Sequence, residues 1–109
     1  GKGETEEAIK AYELAIKYNE HYDIAYNNLG VIYLDDLGRV NKAAELFRKA
    51  IDSNPNYALA VFNLARATSI QGNKVEAAKL FQMAQDINQV TQEIDPKDIA
   101  EKISELFES

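Results

Sequence analysis

Few side chains in this sequence have the chemistry of a catalytic or metal site. The chain has a single histidine, His21, and no cysteine, which excludes a thiolate metal site and a disulfide framework. Asp35 and Asp36 are adjacent, and adjacent residues on a helix point about 100° apart, so the two carboxylates cannot converge on one proton or metal ion. We therefore expect His21 to cap backbone amides at a helix start, and the two aspartates to form a solvated helix end.

Short motifs of common catalytic and nucleotide-binding sites are also missing. The sequence contains no P-loop, no glycine-rich dinucleotide turn, no His-Glu-x-x-His and no nucleophile elbow. We therefore predict a protein that is not an enzyme, with no catalytic residues, no metal site and no cofactor. The formal net charge of −6 disfavours nucleic acids and anionic membranes as partners, because both bind basic patches.

Length and composition fit one small globular domain. The chain has 109 residues, of which 46% are hydrophobic and 28% are charged, and these values are ordinary for a soluble protein. No apolar run reaches the roughly 18 residues that a membrane span requires, and no leader opens the chain. We expect a soluble protein without membrane insertion, located in the cytoplasm.

The central stretch has the residue pattern of two packed helices. It reads Tyr26-x-x-Leu29-Gly30-x-x-Tyr33, then Ala43-x-x-x-Phe47-x-x-Ala50, then Pro55. The small residues Gly30 and Ala50 let two helix axes approach closely, while the large residues fill the space beside that contact. Proline has no amide hydrogen and cannot continue the second helix, so the pair ends at Pro55.

This pattern occurs more than once. Residues 58–91 carry Val61-x-x-Leu64-Ala65-x-x-Thr68, then Gly72, then Ala77-x-x-x-Phe81-x-x-Ala84, and the start of the chain carries Ala8-x-x-x-Tyr12-x-x-Ala15. The spacing resembles that of the tetratricopeptide repeat (TPR) family, with Tyr26 where the family usually has tryptophan. The resemblance implies an all-α fold, a TPR-type α-solenoid of antiparallel helix pairs. Its single domain, 1–109, would consist of a half repeat (3–22), two repeats (23–57 and 58–91) and a C-terminal capping helix (95–109).

The same spacing predicts the individual helices, near 5–18, 23–36, 41–53, 57–70, 74–89 and 97–107. Nine residues separate Tyr33 from Ala43, whereas eight separate Thr68 from Ala77, so we expect a longer loop in the first repeat. Gln89 stands where Pro55 ends the other repeat, so the fifth helix is expected to run on to about residue 90. The last helix starts at Asp95-Pro96. It has an apolar face that we expect to cover the last repeat, formed by Ile99, Ile103, Leu106 and Phe107.

The resemblance also implies a binding surface, because the first helix of each pair lines the concave side of such arrays. Carried onto this sequence, the groove-lining places are Ile24, Asn27, Asn28, Val31, Leu59, Phe62, Asn63 and Arg66. Asn28 and Asn63 occupy the same repeat position. An amide both donates and accepts hydrogen bonds, so these two side chains could hold the backbone of an extended peptide. The alternative is that they are solvated asparagines with a structural role in a turn.

The kind of partner follows from the residues at these places. One subclass of the family binds the C-terminal carboxylate of heat-shock chaperones through lysines and an arginine, where this chain has Asn27, Val31, Leu59 and Asn63. Arg66 is the only nearby cation, so we do not expect chaperone-tail binding. The apolar side chains at the other places instead suit an apolar peptide or a short amphipathic helix.

We therefore predict a protein-interaction module, an adaptor or scaffold whose partner is a protein or peptide. The alternative is a regulatory or substrate-presenting arm of a larger multidomain enzyme, since the chain begins inside a repeat. The first helix lacks a partner helix of its own. Part of its apolar face, formed by Ala8, Ile9, Tyr12 and Ile16, is expected to be open, and a homodimer could form through it at high concentration.

Overall fold

The computed structural model describes residues 1–108. That part of the chain forms six α-helices and one π-helical segment, which we call the π-turn, and it contains no strand. The elements are α1 (Lys2–Tyr18), α2 (Asp23–Val31), the π-turn (Ile32–Asp36), α3 (Val40–Ser53), α4 (Ala58–Ile70), α5 (Lys74–Thr91) and α6 (Pro96–Leu106). The fold is an all-α solenoid of stacked helix pairs.

Neighbouring helices in sequence are also neighbours in space. α2 pairs with α3, α4 pairs with α5, and α3 packs against α4 to join the two pairs. α1 packs against α2 at one end of the array, and α6 packs against α5 at the other. Because each pair has one apolar stripe facing its partner and another facing the next pair, the core runs continuously through the stack.

The contact between α2 and α3 depends on a glycine. A Cβ atom at Gly30 would lie 2.5 Å from Cε1 and 2.7 Å from Cδ1 of Phe47, closer than carbon atoms normally approach. Phe47 itself is completely buried. The predicted close approach at Gly30 is therefore present, and any side chain at this position would displace the Phe47 ring.

The first repeat accommodates its extra residue in a helix rather than in a loop. Both connections within the pairs have three residues, 37–39 and 71–73, and each contains a glycine with positive φ, Gly38 at +65° and Gly72 at +89°. In the π-turn, the amide of Leu37 donates to the carbonyl of Ile32 at 3.2 Å, a bond spanning five residues. The expected longer loop is wrong, because one wide turn absorbs the residue and leaves the glycine turn unchanged.

Two expectations near the start of the chain also need correction. α1 begins at Lys2 rather than near residue 5, and the Thr5 hydroxyl donates to the carbonyl of Gly1 at 3.3 Å. The imidazole of His21 is exposed and lies 3.8 Å from the Glu20 carboxylate, so it caps no backbone amide. The turn is formed by the Asn19 side chain, which accepts a hydrogen bond from the His21 amide at 3.1 Å.

The C-terminal helix covers the apolar end of the last pair. Asp95 caps it by accepting a hydrogen bond from the Lys97 amide at 3.0 Å, and Pro96 occupies the first helical position. Ile99 and Leu106 are buried in a cluster with Ala65, Ala77 and Phe81. Phe107, expected on the same face, is 65% exposed, because the helix ends at Leu106.

The segment between α5 and α6 is fixed to the start of α4. The Glu93 carboxylate accepts hydrogen bonds from the amides of Ala58 at 3.1 Å and Leu59 at 3.3 Å. These amides are free at a helix N-terminus, where a negative charge is favourable. The Asn88 side chain bonds both backbone groups of Ile94. These contacts set the position of α6 beside α4.

Candidate functional site

An open cavity lies between α1, α2 and α4, with a volume of about 490 Å³. We call it the groove. Its lining residues are Tyr12, Asn27, Asn28, Val31, Ile32, Leu59, Asn63 and Arg66. The groove therefore brings together most of the predicted site residues, which are separated by up to about one repeat in sequence, and leaves out Ile24 and Phe62.

Two of the groove asparagines are buried and bonded to each other. The amide nitrogen of Asn63 donates to Oδ1 of Asn27 at 2.9 Å, which links the two repeats. The Asn27 side chain also hydrogen-bonds the phenol of Tyr57, and Oδ1 of Asn63 accepts from Nη1 of Arg66 at 3.2 Å. Both side chains are thus satisfied inside the protein, as buried polar groups generally are.

The phenol at the end of this hydrogen-bond chain stays neutral over a wide pH range. Burial raises the pKa of Tyr57 above its ordinary value of 10.0, and the nearby carboxylates Asp23 and Glu93 raise it further, while the hydrogen bond from Asn27 acts in the opposite direction. The Asn27 amide donates to the phenol oxygen, and such a bond favours the phenolate, which is why it opposes the other two effects.

The cation of the groove has an internal partner. Nη2 of Arg66 lies 2.7 Å from Oδ1 of Asp35, whose side chain is 43% exposed while that of Arg66 is 27% exposed. This distance is typical of a charge-assisted hydrogen bond. Asp35 and Asp36 are exposed at the end of the π-turn, as expected for a solvated helix end, and Asp35 in addition pairs with Arg66. Arg66 also borders a second cavity of about 440 Å³ between α4, α5 and α6.

Three of the predicted residues present side chains to the groove that form no hydrogen bond or ion pair among residues 1–108. Asn28, Val31 and Leu59 are half-buried and line the cavity. Among residues 1–108, the Asn28 amide has no hydrogen-bond partner. Val31 and Leu59 supply apolar area on two neighbouring first helices. Asn28 is thus the groove amide that is available to a ligand.

The other two predicted residues lie elsewhere. The ring of Phe62 packs edge-on against Phe81, with centroids 5.4 Å apart, and belongs to the cluster that includes Ile103 of α6. Ile24, near the start of α2, is 47% exposed and does not line the cavity. Phe62 is partly buried because it packs against the cluster that α6 completes with Ile99 and Leu106, an effect that the pattern of the repeat alone does not reveal.

Sequence reasoning missed two residues that line the groove, Tyr12 and Ile32. Tyr12 comes from α1, and we expected it on the open apolar face of that helix and not in the groove. Ile32 starts the π-turn, whose wide turn changes which side chains follow Val31 on the groove face. The extra residue between Tyr33 and Ala43 was the one sequence signal for this change, and it suggested a loop instead.

Residues 1–108 contain no cluster of three or more histidine, aspartate or glutamate side chains placed to hold a metal ion. In the same part of the chain, no helix has the length and apolar character needed to cross a membrane.

Stacked helix pairs with short turns define the class of this protein as a helical-repeat α-solenoid. A family model described as tetratricopeptide repeat matches residues 1–58 and 34–90. The chain belongs to the tetratricopeptide repeat family. A search of curated proteins found no match.

Solved structures share the fold over most of the chain. The TPR2B domain of yeast Sti1, described in complex with pHsp70, is 22% identical, with a TM-score of 0.87 over 96% of this chain and 84% of that one. The chaperone SycD of Yersinia enterocolitica, in complex with a peptide of the translocator YopD, is 17% identical, with a TM-score of 0.80 over 98% and 79%. MamA is 32% identical, with a TM-score of 0.75 over 84% of this chain, which spans about half (53%) of MamA.

Proposed function

We propose that this domain is a non-catalytic protein-interaction module that binds a peptide or helical segment of a partner protein in the groove. The observation that carries the proposal is the composition of that cavity. Val31, Ile32 and Leu59 give it an apolar floor, and the Asn28 amide beside them has no partner among residues 1–108. Apolar area with a few placed polar groups is what peptide-binding sites present.

The comparisons support the proposal at the level of the fold. The Sti1 domain and SycD are described as complexes with a partner or a partner's peptide, and both have the same helix arrangement as this chain. At 22% and 17% identity they say nothing about which segment this groove accepts. The choice of segment must follow from the groove's own side chains.

Each groove residue has an expected role in this binding mode. Apolar side chains of the ligand contact Val31 and Leu59, and the Asn28 amide bonds one backbone group of the ligand without selecting a sequence. Asn27 and Asn63 hold the two first helices in register through their mutual bond. Phe62 is left out of the contact set, because its ring packs under α6.

The test is a selection of peptides on the immobilised domain from a random-peptide display library, followed by affinity measurements on purified variants. We expect Leu59→Ala to weaken the best peptide by about 1 to 3 kcal/mol and Asn28→Ala by about 1 kcal/mol. Gln89→Ala is the matched control, since it removes an exposed amide from α5. Equal affinities for wild type and both groove variants, with the helical circular dichroism spectrum retained, would place binding outside the groove.

A further inference from the structure

The π-turn brings a carboxylate to the only cation that lines the groove among residues 1–108. Asp35 lies within the π-turn (Ile32–Asp36), and its Oδ1 is 2.7 Å from Nη2 of Arg66 on α4. The second repeat has no extra residue, and the place two residues after its Thr68 holds Ile70. The carboxylate at this place is therefore a feature of the repeat that contains the π-turn.

Arg66 is held in place by more than this one contact. Its Nη1 donates to Asn63 at 3.2 Å, and Asn63 is in turn bonded to the buried Asn27. The guanidinium is thus oriented before any ligand arrives. A planar, fixed guanidinium is a strong receptor for a carboxylate, but here one of its edges already faces Asp35.

We propose that Asp35 is a built-in counter-ion of Arg66, which makes the groove select uncharged, apolar segments from within a partner chain and reject free C-terminal carboxylates and acidic side chains. This inference rests on the proposed function of the groove. An incoming carboxylate would have to displace Asp35 or share the guanidinium with it, and two carboxylates on one cation repel each other. An uncharged segment pays neither cost.

The charges around Arg66 support this assignment. With Asp35 paired to Arg66, the residues that line the groove carry no uncompensated charge. The cations Lys74 and Lys102 line the second cavity together with Glu105, and Lys102 lies 3.4 Å from that carboxylate. An apolar, uncharged ligand therefore matches the groove, whereas an anion does not.

The probes are N-acetyl-leucyl-leucine as the free acid and as its C-terminal amide. Each is titrated into the ¹⁵N-labelled domain, and binding is followed through the side-chain resonances of Arg66 and Asn28. Asp35→Asn removes the counter-ion with nearly the same shape. Asp36→Asn is the matched control, because it makes the same charge change on the neighbouring residue, which has no ion pair within residues 1–108.

We expect wild type and Asp36→Asn to bind the acid no more tightly than the amide. In Asp35→Asn, we expect the acid to gain about tenfold over the amide, since one charge-assisted hydrogen bond at a partly exposed site becomes available. A wild-type preference for the acid, or no gain in Asp35→Asn, would overturn the inference. If only Asp35→Asn bound the free-acid probe and no variant bound the amide probe, Asp35 would remain the counter-ion of Arg66, but the proposal that the groove binds apolar segments would be overturned. No binding of either probe to any variant would overturn both.

Discussion

The same motif has different surroundings at the two ends of the array. The helices α1, α3 and α5 each carry an aromatic residue flanked by two alanines. In α3 and α5 all three side chains are buried, whereas in α1 they are half-buried. α3 lies between α2 and α4, and α5 lies between α4 and α6, but the main contacts of α1 are on one side, with α2 and the π-turn. The motif thus specifies a surface, and the helices on both sides of it determine how much is buried.

The open side of α1 also differs in composition. Leu46 of α3 is buried, and the equivalent residue in α1, thirty-five positions earlier, is the exposed Ala11. α6 instead covers its end of the array with Ile99 and Leu106. One end is closed by a dedicated helix, whereas at the other end Leu14 and Tyr18 of α1 stay exposed.

The largest expected effect is a difference in the free energy of unfolding between a substitution in α3 and the equivalent substitution in α1. Phe47→Ala empties a completely buried site and should lower the free energy of unfolding by about 3 to 5 kcal/mol. Tyr12→Ala, at the same motif position, removes a half-buried ring and should cost about 1 to 2 kcal/mol. Urea denaturation followed by circular dichroism measures both. If the two losses were equal, the burial difference between the copies would have no energetic meaning.

A second pair of substitutions tests the close approach of α2 to α3, which buries the motif residues of α3. Gly30→Leu places a side chain where even Cβ would lie 2.5 Å from the Phe47 ring, and it should cost about 1 to 3 kcal/mol or unfold the domain. Gly3→Leu is the matched control on α1, where an added Cβ meets nothing within 4 Å. An unchanged melting temperature for Gly30→Leu would contradict the tight packing of α2 on α3.

Local spacing was sufficient to predict the helices and the close contact. The alanines and aromatic residues recur at three- and four-residue spacing, which predicts the helices. The absence of a side chain at Gly30 predicts the close approach to the helix that carries Phe47. The π-turn was not predicted, since a count of residues cannot say whether an extra one enters a helix or a loop. That choice depends on how α3 packs.

The site was predicted less well than the fold, for a related reason. Six of the residues that the repeat register assigns to the groove line one cavity, namely Asn27, Asn28, Val31, Leu59, Asn63 and Arg66. The register does not show that the Asn63 amide donates a hydrogen bond to Asn27 and accepts one from Arg66. It also does not show that Phe62 packs against α6. Asn27 and Asn63 are 36 positions apart, and Phe62 is about forty positions from α6, so no local pattern encodes these two contacts. Contact of a peptide with Asn28, Val31 and Leu59 stays a prediction.

The smallest expected effect concerns self-association through α1. Ala8, Ile9, Tyr12 and Ile16, the residues expected on the open face, are only half-buried, and an open apolar face favours pairing with a second copy. Leu14 and Tyr18 of α1 are also exposed, but the open face is the surface of a single helix and its area is small, so we expect a dimer only near millimolar protein concentration. The equivalent face of α3 has Leu46 at the place of Ala11, which points to the substitution that should strengthen the contact.

Ala11→Leu should tighten the dimer about tenfold, because burying one larger apolar side chain contributes about 1.5 kcal/mol. Ala11→Glu should abolish it, since the carboxylate would have to leave water without a partner. Neither substitution should change the helical content, because the residue is exposed in the monomer. Sedimentation equilibrium at protein concentrations up to about 1 mM gives the dissociation constants. If wild type and Ala11→Leu both remained strictly monomeric there, the open face of α1 would be solvated surface rather than an interface.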